Sequence, residues 1–289
     1  MNFFQDPVWN TTDVDLIIDL ALKEDIGPGD YSTLASIGPL KMGSAFMLFK
    51  ENAVLCGLPL VAKILSKVDP SIEIELLKEE GQWIQKGEKV LFLKGSASSI
   101  LSSERLILNF VQRLSGIATL SKHYAQMAKP YGVTILDTRK TTPGLRLLEK
   151  YAVRVGGASN HRTGLYDMVM LKDNHVDFCG GIENAIVKTN NYLQQNNLTL
   201  AIEIETRNIE EVKEVLRVGG VQRIMLDNFN PEEITQALSL INKKYETEAS
   251  GGINNSNLME YLKTGVDFIS IGALTHSSKN IDISLKTNL

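Results

Sequence analysis

The segment Leu136-Asp137-Thr138-Arg139-Lys140-Thr141-Thr142-Pro143-Gly144 runs from an apolar stretch directly into an acid, two cations and a set of hydroxyls. Downstream stand Asn160-His161-Arg162-Thr163-Gly164 and Leu171-Lys172-Asp173-Asn174-His175. Arg139, Lys140, Arg162 and Lys172, with His161 and His175, therefore gather in one segment of a chain whose net charge is −4. Charged groups delivered by the end of a buried strand form the mouth of a site. Cations so concentrated suit a small, multiply charged anion. Nucleic acid requires a broad basic surface instead, so none is expected as a partner.

Acids and glycines complete the set. Glu205 ends the run Ala201-Ile202-Glu203-Ile204-Glu205, and Asp227 ends Ile224-Met225-Leu226-Asp227. Carboxylates on two separate strands suit sugar hydroxyls or a hydrated Mg²⁺ shared with a substrate phosphate. They are equally spaced as the acids of a glycosidase would be. Strand alternation puts Glu203 on the face of Glu205, where it requires a cationic partner and reads as a structural ion pair or as part of the site. Ser250-Gly251-Gly252 and Gly272-Ala273-Leu274 follow two further apolar runs. Backbone that approaches closely at strand ends cradles a monophosphate. Neither GxGxxG nor GxxxxGK[ST] occurs, so no Rossmann or Walker phosphate site is indicated.

Two rhythms in the chain would position these residues. A helix over 13–23 stops at Gly27-Pro28-Gly29, and four strand-like runs follow at 44–49, 53–56, 72–77 and 90–93, with a helix over 60–67. This pattern predicts an antiparallel sheet carrying a helix. The 80–88 run reads as a structural hairpin. A long helix over 104–129, whole or broken at Ser115-Gly116, forms the boundary. Beyond residue 130, apolar runs at 133–136, 168–171, 200–204, 223–226, 246–249 and 268–271 alternate with helical segments. Such alternation gives a parallel sheet with helices outside, and six polar strand tips favour a barrel that brings them to one rim.

The 289 residues, 43% hydrophobic, suffice for one large barrel or two domains. Cys56 and Cys179 stand far apart without CxxC spacing, and no signal peptide or membrane span is recognisable, so a cytoplasmic location with reduced thiols is expected.

The run from Asp137 to Lys172, together with Glu205, Asp227, Ser250-Gly251-Gly252, Gly272-Ala273-Leu274-Thr275-His276 and the early Lys23-Glu24-Asp25-Ile26-Gly27-Pro28-Gly29-Asp30, closely resembles the quinolinate phosphoribosyltransferase family over nearly the whole chain. The resemblance implies an α/β fold: an N-terminal α/β open-faced sandwich domain over 1–115 and a C-terminal incomplete, about six-stranded α/β barrel over 116–275, with the tail 276–289 packing back on the first. It implies transfer of the phosphoribosyl group of phosphoribosyl pyrophosphate to quinolinate with decarboxylation, in de novo NAD biosynthesis.

By position, the resemblance assigns Arg139, His161, Arg162 and Lys172 to the two carboxylates of quinolinate, with Arg105 reaching in from the partner subunit of a homodimer, or of a higher oligomer; Thr138 is a further substrate-binding residue. Lys140 is assigned to the pyrophosphate leaving group, and Glu205 and Asp227 to ribose hydroxyls and Mg²⁺; Lys140, Glu205 and Asp227 form the catalytic set. Ser250, Gly251, Gly252, Gly272, Ala273 and Leu274 take the 5-phosphate. Other readings of the same residues are a paralogue for another base, a barrel lyase or isomerase acting on a sugar phosphate, and a non-catalytic sensor of an anionic metabolite. The tail after Ser277 and the loop at 194–198 carry no signature.

Overall fold

A computed structural model of the chain describes residues 3–287. It divides into two compact units, one comprising Met1–His123, Thr141–Gly157 and Leu274–Leu289, the other Tyr124–Lys140 and Ala158–Ala273.

In the first unit, α1 (Thr12–Ile26) carries Asp13 and Asp15 in its opening turn and Lys23 in its last, which matches the helix dipole at both ends. Val14 and Ile18 are buried on one face, and Gly27 ends the helix at φ 52. A short helix α2 (Tyr31–Ser36) follows, capped by Asp30. Then come β1 (Met42–Phe49), β2 (Ala53–Val54), α3 (Leu58–Val68), β3 (Glu73–Leu76), β4 (Trp83–Ile84) and β5 (Lys89–Ser96). Alternate residues Ala45, Met47 and Phe49 of β1 are buried, as the period of a half-buried strand requires. The helix α4 (Ala97–Ala128) runs unbroken for 32 residues.

Of the two alternatives the sequence left open, α4 is the one whole helix, and the tail adds a strand. Gly116 does not break α4: a Cβ there would lie 2.0 Å from the carbonyl oxygen of Lys279, so glycine admits the tail. The tail carries a strand, β12 (Ile283–Thr287), antiparallel to β1 from Ala45↔Thr287 to Phe49↔Ile283. The antiparallel sheet therefore has the order β12-β1-β5-β3, while β2 pairs with β4. Arg113 of α4 fastens the tail by donating to the carbonyls of Thr275 and Ser278.

Thr141–Gly157 also packs with the first unit. Its helix α5 (Arg146–Val155) brings Tyr151 against Trp9, ring centroids 4.6 Å apart. The Tyr151 hydroxyl donates to Glu80 at 2.9 Å. Buried Glu80 also accepts from the N–H groups of Gly57 and Leu58 at 2.7 and 2.9 Å, closing the start of α3. Buried Glu149 pairs with Arg113 at 2.9 Å and accepts from the Thr142 hydroxyl at 2.8 Å.

The second unit is strand and helix in alternation: β6 (Thr134–Leu136), β7 (Val169–Leu171), α6 (Asp173–Cys179), α7 (Ile182–Gln195), β8 (Ile202–Thr206), α8 (Ile209–Val218), β9 (Arg223–Asp227), α9 (Pro231–Ile241), β10 (Glu246–Ser250), α10 (Leu258–Leu262) and β11 (Phe268–Ser270). The helix α11 (Ala273–His276) follows β11. All six strands are parallel in the order β6-β11-β10-β9-β8-β7. No ladder joins β6 to β7 among the described residues, so the barrel is incomplete. Helices α8 and α9 are capped by Asn208 and Asn230, each accepting backbone N–H groups. Register pairs Glu203 with Arg223 and Arg223 with Glu246, placing Glu203, Glu205, Arg223, Asp227, Glu246, Glu248 and Ser250 on one face. Ile204, Leu226 and Ala249 take the opposite face and are fully buried.

Candidate active site

The strand ends deliver charge in a definite arrangement. Lys172 caps the start of α6 directly after β7, and its Nζ lies 3.7 Å from Glu205 Oε2 at the end of β8. Glu205 is 9% exposed, and burial together with the charge of Asp227 raises its carboxyl above the usual range, against the opposing charge of Lys172. Asp227, ending β9, is also raised, chiefly by burial, while Lys172, Ser250 and Asn228 counteract. Both carboxylates thus feel the one ammonium group of Lys172.

On the cationic side, Arg162 is partly buried and donates to the Met168 carbonyl at 3.2 Å. Its guanidinium is held below its ordinary pKa, first by burial and then by the charge of Arg139. Like charges kept this close are stabilised by an anion between them, which planar guanidinium groups bind bidentately. Arg139 and Lys140 project from the loop after β6, where the Lys140 N–H donates to Thr138 Oγ1 at 3.1 Å. Buried Asp137 shapes the loop opposite, accepting from the His161 N–H at 2.8 Å and from the Asn160 side chain at 2.6 Å.

The turn after β10 is set by backbone. Gly251 has φ +98, and a Cβ on it would lie 2.2 Å from Asn228 Oδ1, so only glycine fits. The Asn228 N–H donates to the Ser250 carbonyl at 2.8 Å, tying the ends of β9 and β10 together. Gly272 and Ala273 lead from β11 into α11.

One tier below the rim, His161 Nε2 lies 3.0 Å from Glu203 Oε2 and 3.4 Å from Glu248 Oε2. The imidazole side chain is 5% exposed and both glutamates are fully buried. Arg223 Nη1 meets Glu248 at 3.1 Å, so Glu203 has the cationic company its position demanded. Burial opposes charge on His161 while the two glutamates favour it, and the Arg162 backbone N–H aimed at Nδ1 tips the ring to its neutral form. Burial and the charge of Glu248 raise Glu203 to about 7. The Arg162 N–H donates to His161 Nδ1 at 2.7 Å, which opposes a second ring proton. We therefore assign the ring proton to Nε2, facing the carboxylates.

The second unit contains Thr138, Arg139, Lys140, His161, Arg162, Lys172, Glu205, Asp227, Ser250, Gly251, Gly252, Gly272 and Ala273. Exposed Arg105, on α4, and Leu274 belong to the first. Glu248 was overlooked in the sequence, although alternation puts it two residues below Ser250 as Glu203 lies below Glu205.

Residues 117–286 match the family model for the quinolinate phosphoribosyl transferase C-terminal domain, and residues 30–115 match that for the N-terminal domain. The chain is 46% identical over 296 residues to the chloroplastic nicotinate-nucleotide pyrophosphorylase (carboxylating) of Arabidopsis thaliana, covering 97% of this chain and 84% of the plant protein. It is 45% identical over 269 residues to a probable nicotinate-nucleotide pyrophosphorylase (carboxylating) of Synechocystis, with coverage of 92% and 89%. The solved nicotinate-nucleotide pyrophosphorylase from Francisella tularensis superposes with a TM-score of 0.91 at 36% identity, covering 100% of this chain and 99% of that one.

Proposed function

The chain belongs to the quinolinate phosphoribosyl transferase family, and from that premise we propose how its residues divide the reaction. It transfers the phosphoribosyl group of phosphoribosyl pyrophosphate to quinolinate with decarboxylation, yielding nicotinate mononucleotide, pyrophosphate and CO₂. The observation that carries the substrate assignment is the match of both domains to the family models, with the cations Arg139, Arg162 and Lys172 gathered in the second unit. Two guanidinium groups and an ammonium suit a dicarboxylate.

Arg139, Arg162 and Lys172 orient the two carboxylates, and Lys140 faces the leaving group. Cleavage of the C1–oxygen bond releases pyrophosphate and gives the sugar oxocarbenium character, which Glu205 and Asp227 stabilise while holding the ribose hydroxyls. The pyridine nitrogen forms the new bond to C1. The alkylated ring then accepts the electron pair of the breaking bond to the 2-carboxylate, CO₂ leaves, and a solvent proton takes its place. No step requires a general base. Ser250, Gly251, Gly252, Gly272, Ala273 and Leu274 hold the 5-phosphate through turn backbone.

Glu205 and Asp227 also fit Mg²⁺: they are hard oxygen donors, both raised by burial, and a divalent cation relieves their crowding. Bound there with the substrate, the ion would neutralise charge on departing pyrophosphate. Excess EDTA should therefore stop turnover and added Mg²⁺ restore it; full activity in EDTA removes the metal from the scheme.

The working assembly in this reading is a homodimer in the cytoplasm, with Arg105 serving the partner's site. Supporting it, Leu165, Tyr166 and Phe178 are 71%, 74% and 93% exposed along one apolar groove, more than an isolated surface normally leaves in water. No helix among the described residues is long and apolar enough to cross a membrane. A coupled assay for pyrophosphate tests the activity: release with quinolinate and none with nicotinate is expected, and the reverse overturns it.

A further inference from the structure

We infer that His161 serves the reaction as a positioning residue, braced by Glu203 and Glu248, and that this buried clamp sets where Arg162 stands; the inference rests on the dicarboxylate role of Arg162. Three observations define the clamp. His161 Nε2 points away from the rim, to two carboxylates on β8 and β10, at 3.0 and 3.4 Å. Its Nδ1 accepts the backbone N–H of Arg162 at 2.7 Å, and its own N–H is held by buried Asp137 at 2.8 Å. The segment from Asn160 to Arg162 is thereby fixed at the imidazole, while the Arg162 guanidinium is fixed separately by the Met168 carbonyl at 3.2 Å. The clamp sets the backbone of Arg162, and the Met168 carbonyl sets the far end of its side chain.

The same three side chains bring ligand atoms close enough to hold a metal ion. The ring decides against it. A cation on Nε2 requires the lone pair there and drives the ring proton onto Nδ1, against the Arg162 N–H at 2.7 Å. With the proton on Nε2, the ring turns that proton toward the two glutamates and accepts from the backbone at the same time. Arg223, 3.1 Å from Glu248, supplies the positive charge that a buried carboxylate pair demands. Glu203 lies two residues below Glu205, and Glu248 two below Ser250, so the clamp braces the two strands whose ends carry the ribose and phosphate groups.

A double-mutant cycle on His161→Phe and Glu203→Gln, read as separate KM values, tests the clamp. Each single variant should raise the KM for quinolinate at least tenfold and that for phosphoribosyl pyrophosphate less than threefold, and Glu203→Gln should add nothing once His161→Phe is present. Additive effects, or an unchanged quinolinate KM in Glu203→Gln, overturn the inference. If His161→Phe does not fold, the wild-type protein labelled with ¹⁵N-histidine decides. The chain has four histidines, and His161 is assigned by substituting exposed His123, His175 and His276 in turn. An unprotonated Nδ1 with a protonated Nε2 supports the clamp, whereas a protonated Nδ1, or stoichiometric metal in the purified protein, refutes it. Absence of any turnover with quinolinate in the wild type would instead defeat the proposed reaction and leave the ring's tautomer as found.

Discussion

Arg139, Arg162 and Lys172 are rim groups, so their loss should be felt by the ligand and hardly by the fold. Each alanine substitution removes one charge-assisted contact worth about 1.5–3 kcal/mol, or roughly one to two decades in quinolinate affinity. Calorimetric titration should show that loss with an almost unchanged Tm; equal affinity in all three variants removes the pocket. Asp167 makes a different prediction. Partial burial raises its carboxyl, but the N–H groups of Thr163 and Gly164, at 2.6 and 2.9 Å, outweigh burial and hold it below 3.8. An acid whose folded pKa is depressed stabilises above its unfolded pKa and loses that contribution as pH falls through the folded value. The Tm gap between wild type and Asp167→Asn should therefore be widest near neutrality and close as the pH falls through the lowered folded value; a gap independent of pH contradicts it. The rim cations and acids were legible because each ends an apolar run. Glu248 was not, because an acid inside a strand is recognised only once its neighbours are known.

The turns and helices carry the next level. Gly251→Ala must place a methyl group 2.2 Å from Asn228 Oδ1 at φ +98, a strain of order 1–3 kcal/mol. Its KM for phosphoribosyl pyrophosphate should rise about tenfold or more while quinolinate affinity changes little; an unaltered KM shows that this turn does not hold the phosphate. The six parallel strands were readable from apolar runs flanked by turn residues, and α1, α3 and α4 from their periodicity. Helix α5 went unread although Leu148, Tyr151, Ala152 and Val155 recur at helical spacing and are buried. Strand β12 escaped as well. Ile283 and Leu285 alternate properly, but five residues whose partner lies more than two hundred positions earlier give no local signal.

For the whole molecule, the proposed dimer makes a prediction that no single subunit can satisfy. If Arg105 acts across the interface, mixing inactive Arg105→Ala subunits with inactive Lys140→Ala subunits restores activity, because a heterodimer holds one site with both lesions and one with neither. Free exchange of equal amounts gives about half heterodimers and about a quarter of the wild-type sites. Demonstrated exchange without recovery places Arg105 in its own subunit's site or outside it. The two-part organisation was visible from the change of rhythm near residue 130, but not that 141–157 joins the first unit, which is assembled from three separate stretches. That discontinuity bears on synthesis. The strand β1 leaves the ribosome early, while β12, its partner on one edge, emerges only after the last barrel strand β11. Throughout that interval Ala45, Met47 and Phe49 belong to a strand with one open edge, a template for wrong pairing with another nascent chain. The first unit begins to be made first and is completed last, so its final folding step must wait until the second unit has been synthesised.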